Sequence, residues 1–381
     1  MKFQVDRDVF AEAVSWTAKS LPARPSVPVL AGARLTVEDG TLTISGFDYE
    51  ISTEINLDIT GESSGSTLVS GKLLAEIVKA LPNKPVDFHA EGPHAELTCG
   101  SARFTLPTMP LEDYPNLPAM PGTIGQIDSD VFAHAVAQTA IAAGKDETLP
   151  TMTGVQLEMT GSGLALLATD RYRMAITDTS WEPTESDTNV TVLVPAKALS
   201  DAARSLGALS GPITIHVPED TSGPVGMVGF AAGGRRTTSR VLDGQLPKLR
   251  SLVQPSYPTK LRVKTSELIE VVRRVALVTD RKSQVRIQFG DDGLIVEAGG
   301  AEDAKASEAA DCTYEGESGR MAFNPGYLIE GLQAVGAPVA CFSIEDTVKR
   351  AIVLSGEAAT DDDETDYGRF LYMLQPLRWD I

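Results

Sequence analysis

The chain has 381 residues, with 33 basic and 52 acidic side chains giving a net charge of -19. That length exceeds one ordinary core and suggests two or three domains at ~150 residues each. The acidic balance argues against tight non-specific binding to nucleic acid at long range, while leaving room for a local basic surface.

In chain order, the pattern opens with FQVDRDVFAEAV from Phe3, a short alternating strand followed by apolar residues at helical spacing. GQIDSDVFAHAV from Gly125 and RVKTSELIEVV from Arg262 repeat it. Asp8, Asp130 and Glu267 stand near the three helix starts, where a carboxylate meets unpaired N–H groups. A second phrase recurs as TLVSGKLLAEIVKALP, VLVPAKALSDAARSLG and MAFNPGYLIEGLQAVG, each reading as strand, small-residue turn and helix. A third recurs as GTLTISGFDYEIS, SGLALLATDRYRMAIT and DGLIVEAGGAEDAKAS, an apolar strand running into a charged turn. Turn signals at Asp39-Gly40, Gly233-Gly234 and Asp292-Gly293 mark hairpins. The proline-rich stretches Pro115–Gly125 and Leu252–Lys260 read as stiff linkers. The expectation is an α+β fold of three repeated domains, 1–123, 124–258 and 259–381, each with two helices and antiparallel sheet. The repeat is longer than a solenoid unit, so the domains are expected to be independent.

The N-terminus MKFQVDRD has no apolar signal core, and no apolar run approaches the ~20 residues a bilayer needs. Cys99, Cys312 and Cys341 lack CxxC spacing and read as reduced thiols of a cytoplasmic protein. The histidines at 89, 94, 134 and 216 lack metal-type spacing. Neither a metal nor a cofactor is expected.

Phosphate-loop chemistry fails at GSTLVSGKL, which has five residues between its glycines and Leu73 where a hydroxyl is needed. A strand-to-helix turn fits it better. FAAGGRRTTSR reads as a hairpin before it reads as a phosphate cradle. The acidic run Asp361–Asp366 reads as a solvated loop. A metal-dependent nuclease using Asp361 to Asp363 stays open as a rival, as does a monomeric peptide-binding scaffold.

The threefold repeat, the opening MKFQV, RPSVPVLAG, ATDRYRMA, DGQLPKL and the ending YMLQPLRWDI together resemble the bacterial sliding clamp family, the beta subunit of the replicative DNA polymerase. The resemblance runs the whole chain in order. It implies a non-enzymatic processivity factor: two subunits closing head to tail into a six-domain ring around duplex DNA, with sheets outside and twelve helices inside. The partners implied are double-stranded DNA, the replicative polymerase, the clamp loader and repair polymerases.

By that resemblance the bases lining the hole are Arg24, Lys72, Lys79, Lys197 and Arg204 from the first two repeats. Arg273, Arg274, Arg281 and Lys282 come from the third, and helices 3 and 6 contribute almost none. The resemblance also implies a pocket for short apolar peptide motifs. One wall is Thr169, Arg171, Tyr172, Arg173 and Met174, with Met152 nearby. Pro247, Ser251 and Leu252 come from the linker phrase. Met373, Leu374, Gln375, Pro376, Leu377 and Arg378 come from the tail. Methionine and leucine make an adaptable apolar hollow, Thr169 offers a hydroxyl, and arginine heads are available to a peptide. Arg171-Tyr172 stands where many relatives have Gly-His, which implies a narrower, more basic mouth; Ser251 replaces a frequent base. The subunit contact implied joins Phe104 and Leu106 to Leu277 and Val278 of a second copy.

Overall fold

The computed structural model describes residues 1–22, 24–218, 226–279, 284–299, 304–345, 350–358 and 369–379. Six α-helices lie in those residues, two to each sequence repeat: α1 (Arg7–Ser20), α2 (Gly71–Ala80), α3 (Ser129–Ala140), α4 (Ala196–Leu206), α5 (Thr265–Val275) and α6 (Pro325–Val335). The rest of the regular structure is antiparallel strand with short 3₁₀ turns.

The helix starts repeat in chemistry as well as position. Asp6 caps α1 by accepting from the Asp8 and Val9 amides at 2.9 and 3.2 Å. Asp128 does the same at α3, from Asp130 and Val131 at 3.0 and 3.3 Å. The capping carboxylates thus stand two residues before Asp8 and Asp130, which sit inside the first turn where the helix dipole favours them. In the third repeat Lys264 holds the cap position and makes no side-chain bond. Lys72, Lys197 and Gly326 are each the second residue of their helix, so the register of the second repeated phrase is kept.

The strands group into two compact units that cut across the repeats. The first comprises Met1–Phe132, Glu182–Glu185 and Asp201–Val241; the second comprises Ala133–Trp181, Ser186–Ser200 and Leu242–Ile381. In the first unit, a nine-stranded sheet runs Glu182–Pro183, Thr123–Asp128, Pro212–His216, Met227–Ala232, Arg235–Arg240, Ile51–Asp58, Thr41–Phe47, Gly32–Glu38, Gly65–Ser70. A five-stranded sheet accompanies it. In the second unit, another nine-stranded sheet runs Asn189–Pro195, Gly154–Thr160, Gly163–Thr169, Arg173–Ser180, Phe370–Leu374, Ile352–Glu357, Val339–Ile344, Thr259–Lys264, Cys312–Glu315.

Independent domains on linkers are therefore not what forms. The last strand of the second repeat, Arg235–Arg240, pairs with Ile51–Asp58 of the first. The last strand of the third, Phe370–Leu374, pairs with Arg173–Ser180 of the second. Each junction is a continuous ladder, reinforced in the first unit by a buried Ser52–Thr238 hydroxyl contact of 2.6 Å. A strand edge left unpaired would carry a row of open N–H and C=O groups, and sharing the sheet closes it.

The first-repeat core packs Phe3 against Phe88 at 5.0 Å and edge-on to Phe10 at 5.9 Å, with Val14, Leu35, Ile44, Leu74 and Leu97 around them. Leu106 belongs to this core at 1 % exposure. Its side chain faces inward from Ala102–Pro107, an edge strand of the five-stranded sheet, and has no surface to offer a second subunit. Phe104 on the same strand is 37 % exposed. The hairpins at Asp39-Gly40 and Gly233-Gly234 form with positive φ at both central residues, the geometry that matches strand twist. The phosphate-loop lookalike is strand Gly65–Ser70 running into α2.

Candidate functional site

The turn Asp170-Arg171-Tyr172 links strands Gly163–Thr169 and Arg173–Ser180 in the second unit. Asp170 Oδ1 accepts from the Tyr172 and Arg173 amides, both at 3.0 Å. Thr169 Oγ1 donates to the Arg173 carbonyl at 2.7 Å and accepts from the Arg171 amide at 3.1 Å. Its hydroxyl thus both donates and accepts within the turn and orients the backbone there. Arg171 sits at φ 80°, a left-handed conformation costly for a side chain of this size. Tyr172 stands out at 56 % exposure.

Arg173 is the largest departure from the sequence expectation. Its side chain is 5 % exposed, and Nε and Nη1 of its head are engaged inside the protein. Nε donates to Asp170 Oδ2 at 3.0 Å, Nη1 pairs with Glu330 of α6, and Tyr372 Oη lies 3.4 Å away. The guanidinium also lies 4.1 Å from the Tyr327 ring centroid. Burial alone would weaken the charged form, but Tyr372 and Glu330 more than offset this and hold Arg173 firmly protonated. Burial in turn pushes the Tyr372 phenol upward, and it donates to the Tyr327 carbonyl at 3.0 Å. Arg173 ties the turn to α6 through Nε and Nη1 while lining the cavity beside it.

Beside this turn lies a cavity of about 310 Å³. Met152, Arg171, Tyr172 and Arg173 line it, together with Lys145, Asp146, Leu149, Tyr327 and Glu330. These last five carry no local sequence signal, because the segment before Met152 and the helix α6 reach the turn only through long-range folding. Asp146 is held below the usual carboxylate range by the Thr148 hydroxyl at 2.7 Å and amide at 3.0 Å, with help from the charge of Arg171.

Adjoining the cavity through Met152 is an apolar cluster of Met174, Ile176, Leu246, Leu249, Val353 and Met373, with Val253 and Tyr257 partly buried against it. Leu374 is 1 % exposed and is not part of that cluster. Successive strand residues point to opposite faces, so it cannot share Met373's face. Its place in the pocket wall is corrected to the core.

The tail is tied to the turn: the Gln375 amide donates to the Tyr172 carbonyl at 2.9 Å, and the Leu377 amide to that of Ala322 at 2.7 Å. Pro376 is buried, while Gln375, Leu377 and Arg378 are exposed. Pro247, Ser251 and Leu252 are exposed around the 3₁₀ turn Leu249–Leu252, and Ser251 Oγ donates to the Lys248 carbonyl.

The basic candidates fall mainly on helices. Lys72 and Lys79 lie on α2, Lys197 and Arg204 on α4, Arg273 and Arg274 on α5, and all six are exposed. Arg24 is exposed just beyond α1. Three of the arginines have acidic neighbours: Arg204 with Asp201 at 3.5 Å, Arg273 with Glu270 at 2.7 Å, and Arg274 with Glu308 at 2.6 Å. Helices α3 and α6 carry no Lys or Arg. Arg281, Lys282 and the run Asp361–Asp366 lie outside the described residues. Leu277, on the 3₁₀ turn Ala276–Val278, is 83 % exposed, and Val278 is half-buried. Among the described residues no group of three or more His, Cys, Asp or Glu side chains could hold a metal ion.

Three family models match in chain order: the N-terminal, central and C-terminal domains of the DNA polymerase III beta subunit, over residues 1–118, 126–248 and 251–365. The beta sliding clamp of Streptomyces coelicolor is 45 % identical over 378 residues, covering 99 % of each chain. The beta sliding clamp homolog GriR of Streptomyces muensis is 39 % identical, covering 100 % of both chains. Among solved structures, the Bacillus subtilis DNA polymerase sliding clamp matches with a TM-score of 0.89 and 26 % identity over 100 % of both chains. A Pseudomonas aeruginosa clamp bound to griselimycin shares the fold, with a TM-score of 0.90 at 24 % identity over 100 % of both chains.

Proposed function

The chain belongs to the DNA polymerase III beta-subunit family, the sliding clamps, and from that membership we propose how its residues serve the clamp's role. A sliding clamp is a non-catalytic subunit that makes a polymerase processive, so the nuclease rival is dropped. The observation that carries the reading is the run of three beta-subunit domains along one chain. We divide them at 1–123, 124–258 and 259–381.

Two copies close head to tail into a ring around duplex DNA, a heterologous contact whose rotation closes. Leu277, Val278 and the exposed face around Phe104 form that contact. Arg24, Lys72, Lys79, Lys197, Arg204, Arg273 and Arg274 face the duplex. Neighbouring acids temper three of them, which favours a loose hold over a grip. The protein works in the cytoplasm, where its DNA is.

The cavity at Arg171-Tyr172 and the apolar cluster through Met174 and Met373 take a short peptide motif from the polymerase, clamp loader or repair polymerases. Apolar anchors enter the methionine-lined face, and polar contacts come from exposed Arg171, Tyr172 and Gln375. Arg173 positions the turn and forms part of the cavity wall.

Retention on DNA tests the ring. Protein loaded on a closed circle stays through gel filtration and leaves when the circle is cut. Equal loss from closed and cut DNA would refute enclosure.

A further inference from the structure

The C-terminal tail leaves strand Phe370–Leu374 and runs along another sheet of the second unit. That sheet has four strands in the order Ala306–Ala310, Gly293–Ala298, Val285–Gly290, Gly319–Phe323. Gly319–Phe323 is therefore an edge strand, paired on one side with Val285–Gly290. The tail meets its other side at two places. The Leu377 amide donates to the Ala322 carbonyl at 2.7 Å. Two residues further along the tail, and two residues back along the strand, the Arg320 guanidinium lies 5.4 Å from the Trp379 ring centroid. Leu377 opposite Ala322 and Trp379 opposite Arg320 is the register of an antiparallel pair, in which residues two apart point the same way. The tail thus begins a fifth strand on this edge, held by a backbone bond and a cross-strand pair.

Closer to Leu374, the same tail is fixed to the peptide site. The Gln375 amide donates to the Tyr172 carbonyl at 2.9 Å, and Tyr172 lines the cavity. Pro376, buried between the two backbone bonds, has a fixed φ, so the two ends move together. Gln375–Trp379 therefore bridges the Asp170-Arg171-Tyr172 turn and the Gly319–Phe323 edge. The hold at the edge is slight. Arg320, Leu377 and Arg378 are exposed and Trp379 is half-buried. An arginine over an indole at such a site shifts a local equilibrium only a few-fold. Segments held this way open locally without unfolding the rest.

We propose that Arg320 and Trp379 latch the tail and so act as positioning residues for the peptide site, an inference that rests on the peptide-binding reading above. With the latch closed, Gln375 holds the Tyr172 carbonyl and the tail completes that side of the site. With it open, the Tyr172 carbonyl loses the amide and the Gln375 side chain leaves with the tail. Neither Arg320 nor Trp379 lines the cavity, so both act through the tail. Peptide selects the closed state, and closing the latch favours peptide by the same factor.

Hydrogen exchange on the full-length protein tests the latch. The probe for its consequence is a labelled peptide carrying the clamp-binding motif of the replicative polymerase, followed by fluorescence polarisation. Arg320→Ala and Trp379→Ala should each speed exchange of the Gln375 and Leu377 amides about two- to fivefold. The double variant should exchange no faster than either single one, because both remove the same contact. Arg320→Lys and Trp379→Phe keep a cation over a ring and should restore most of the protection. Saturating peptide should slow exchange of both amides, and its apparent Kd should rise in the alanine variants by no more than the exchange factor. Unchanged exchange in both alanine variants, or additive effects in the double, overturns the latch. Faster exchange that peptide does not slow overturns its link to the site. If the wild type binds no peptide, the peptide-binding reading fails, and the exchange comparison still decides whether the latch exists.

Discussion

Arg173 carries charge that the architecture uses. With Asp170 and Glu330 on it and Tyr327 beneath, removing the guanidinium strands two carboxylates, one of them at a nearly buried turn. Arg173→Met should lower unfolding free energy by about 3 kcal/mol in urea titration, the usual scale for breaking a buried pair. Glu330→Gln should cost less, because that carboxylate is 45 % exposed. Arg171 has the opposite sign. At φ 80° a glycine is unstrained, so Arg171→Gly should raise stability by about 1 kcal/mol even though it removes every side-chain contact. A fall in the melting midpoint would show that the turn is not strained. The sequence made these residues visible as a group, since two arginines around a tyrosine at a strand end are conspicuous. It did not separate their duties, because burial depends on α6 and the Phe370–Leu374 strand arriving from ~150–200 residues away. Met373 and Leu374 make the same point: adjacent in sequence, they divide between the apolar cluster around Met174 and the opposite face of the sheet. Leu374→Ala should cost ~2–5 kcal/mol of stability, whereas Met373→Ala should chiefly weaken peptide binding in a titration.

At the level of elements, the helices were legible and the sheet partnerships were not. The starts of α1, α3 and α6 carry a local signature, an acidic cap or an Asn-Pro step, which a short window reveals, and the others are marked by helical spacing of apolar residues. Pairing of Arg235–Arg240 with Ile51–Asp58 leaves no such mark, because any alternating strand can pair with another. The consequence is testable. A fragment ending at Pro121 would contain the whole first-repeat core but would expose the Ile51–Asp58 edge along its length. It should aggregate in light scattering at micromolar concentration, while the full-length chain, in which Arg235–Arg240 pairs that edge, should not. A well-behaved monomer from the short fragment would show that the shared ladder is dispensable. The repeats also explain why the Arg171 turn is singular. Asp48-Tyr49 repeats its geometry, with Asp48 Oδ1 accepting two amides and Tyr49 at φ 74°. In the first repeat, however, Tyr114 packs with Val29, Phe47 and Leu68 at 7 % exposure. Burial raises its phenol to about 12. The linker phrase fills space at the one turn through Tyr114, and at the other it packs Leu246 and Leu249 into the cluster with Met174 and Met373.

For the whole molecule the question is how a chain of net charge -19 stays on a polyanion. Affinity and enclosure make different predictions for salt. If phosphate contacts held the protein, six or more fixed cations per subunit would give a salt slope of roughly -0.9 for each, and retention would collapse within a few-fold rise in salt. Enclosure predicts that retention depends on subunit contact, which an apolar surface strengthens as salt rises. The exposed cations here are tempered by their own acids at Arg204, Arg273 and Arg274, so direct binding to linear duplex should be weak, with a slope near -2 to -3. Loaded circles should keep their protein at 0.5 M salt, about the point where linear duplex has lost it. Leu277→Asp with Val278→Asp should separate the two mechanisms. That variant keeps every cation, so its affinity for linear duplex should stay within about twofold of the wild type, while its mass falls to one subunit and circular retention disappears. If the charged variant still clung to circles, the cations and not the ring would be holding the DNA.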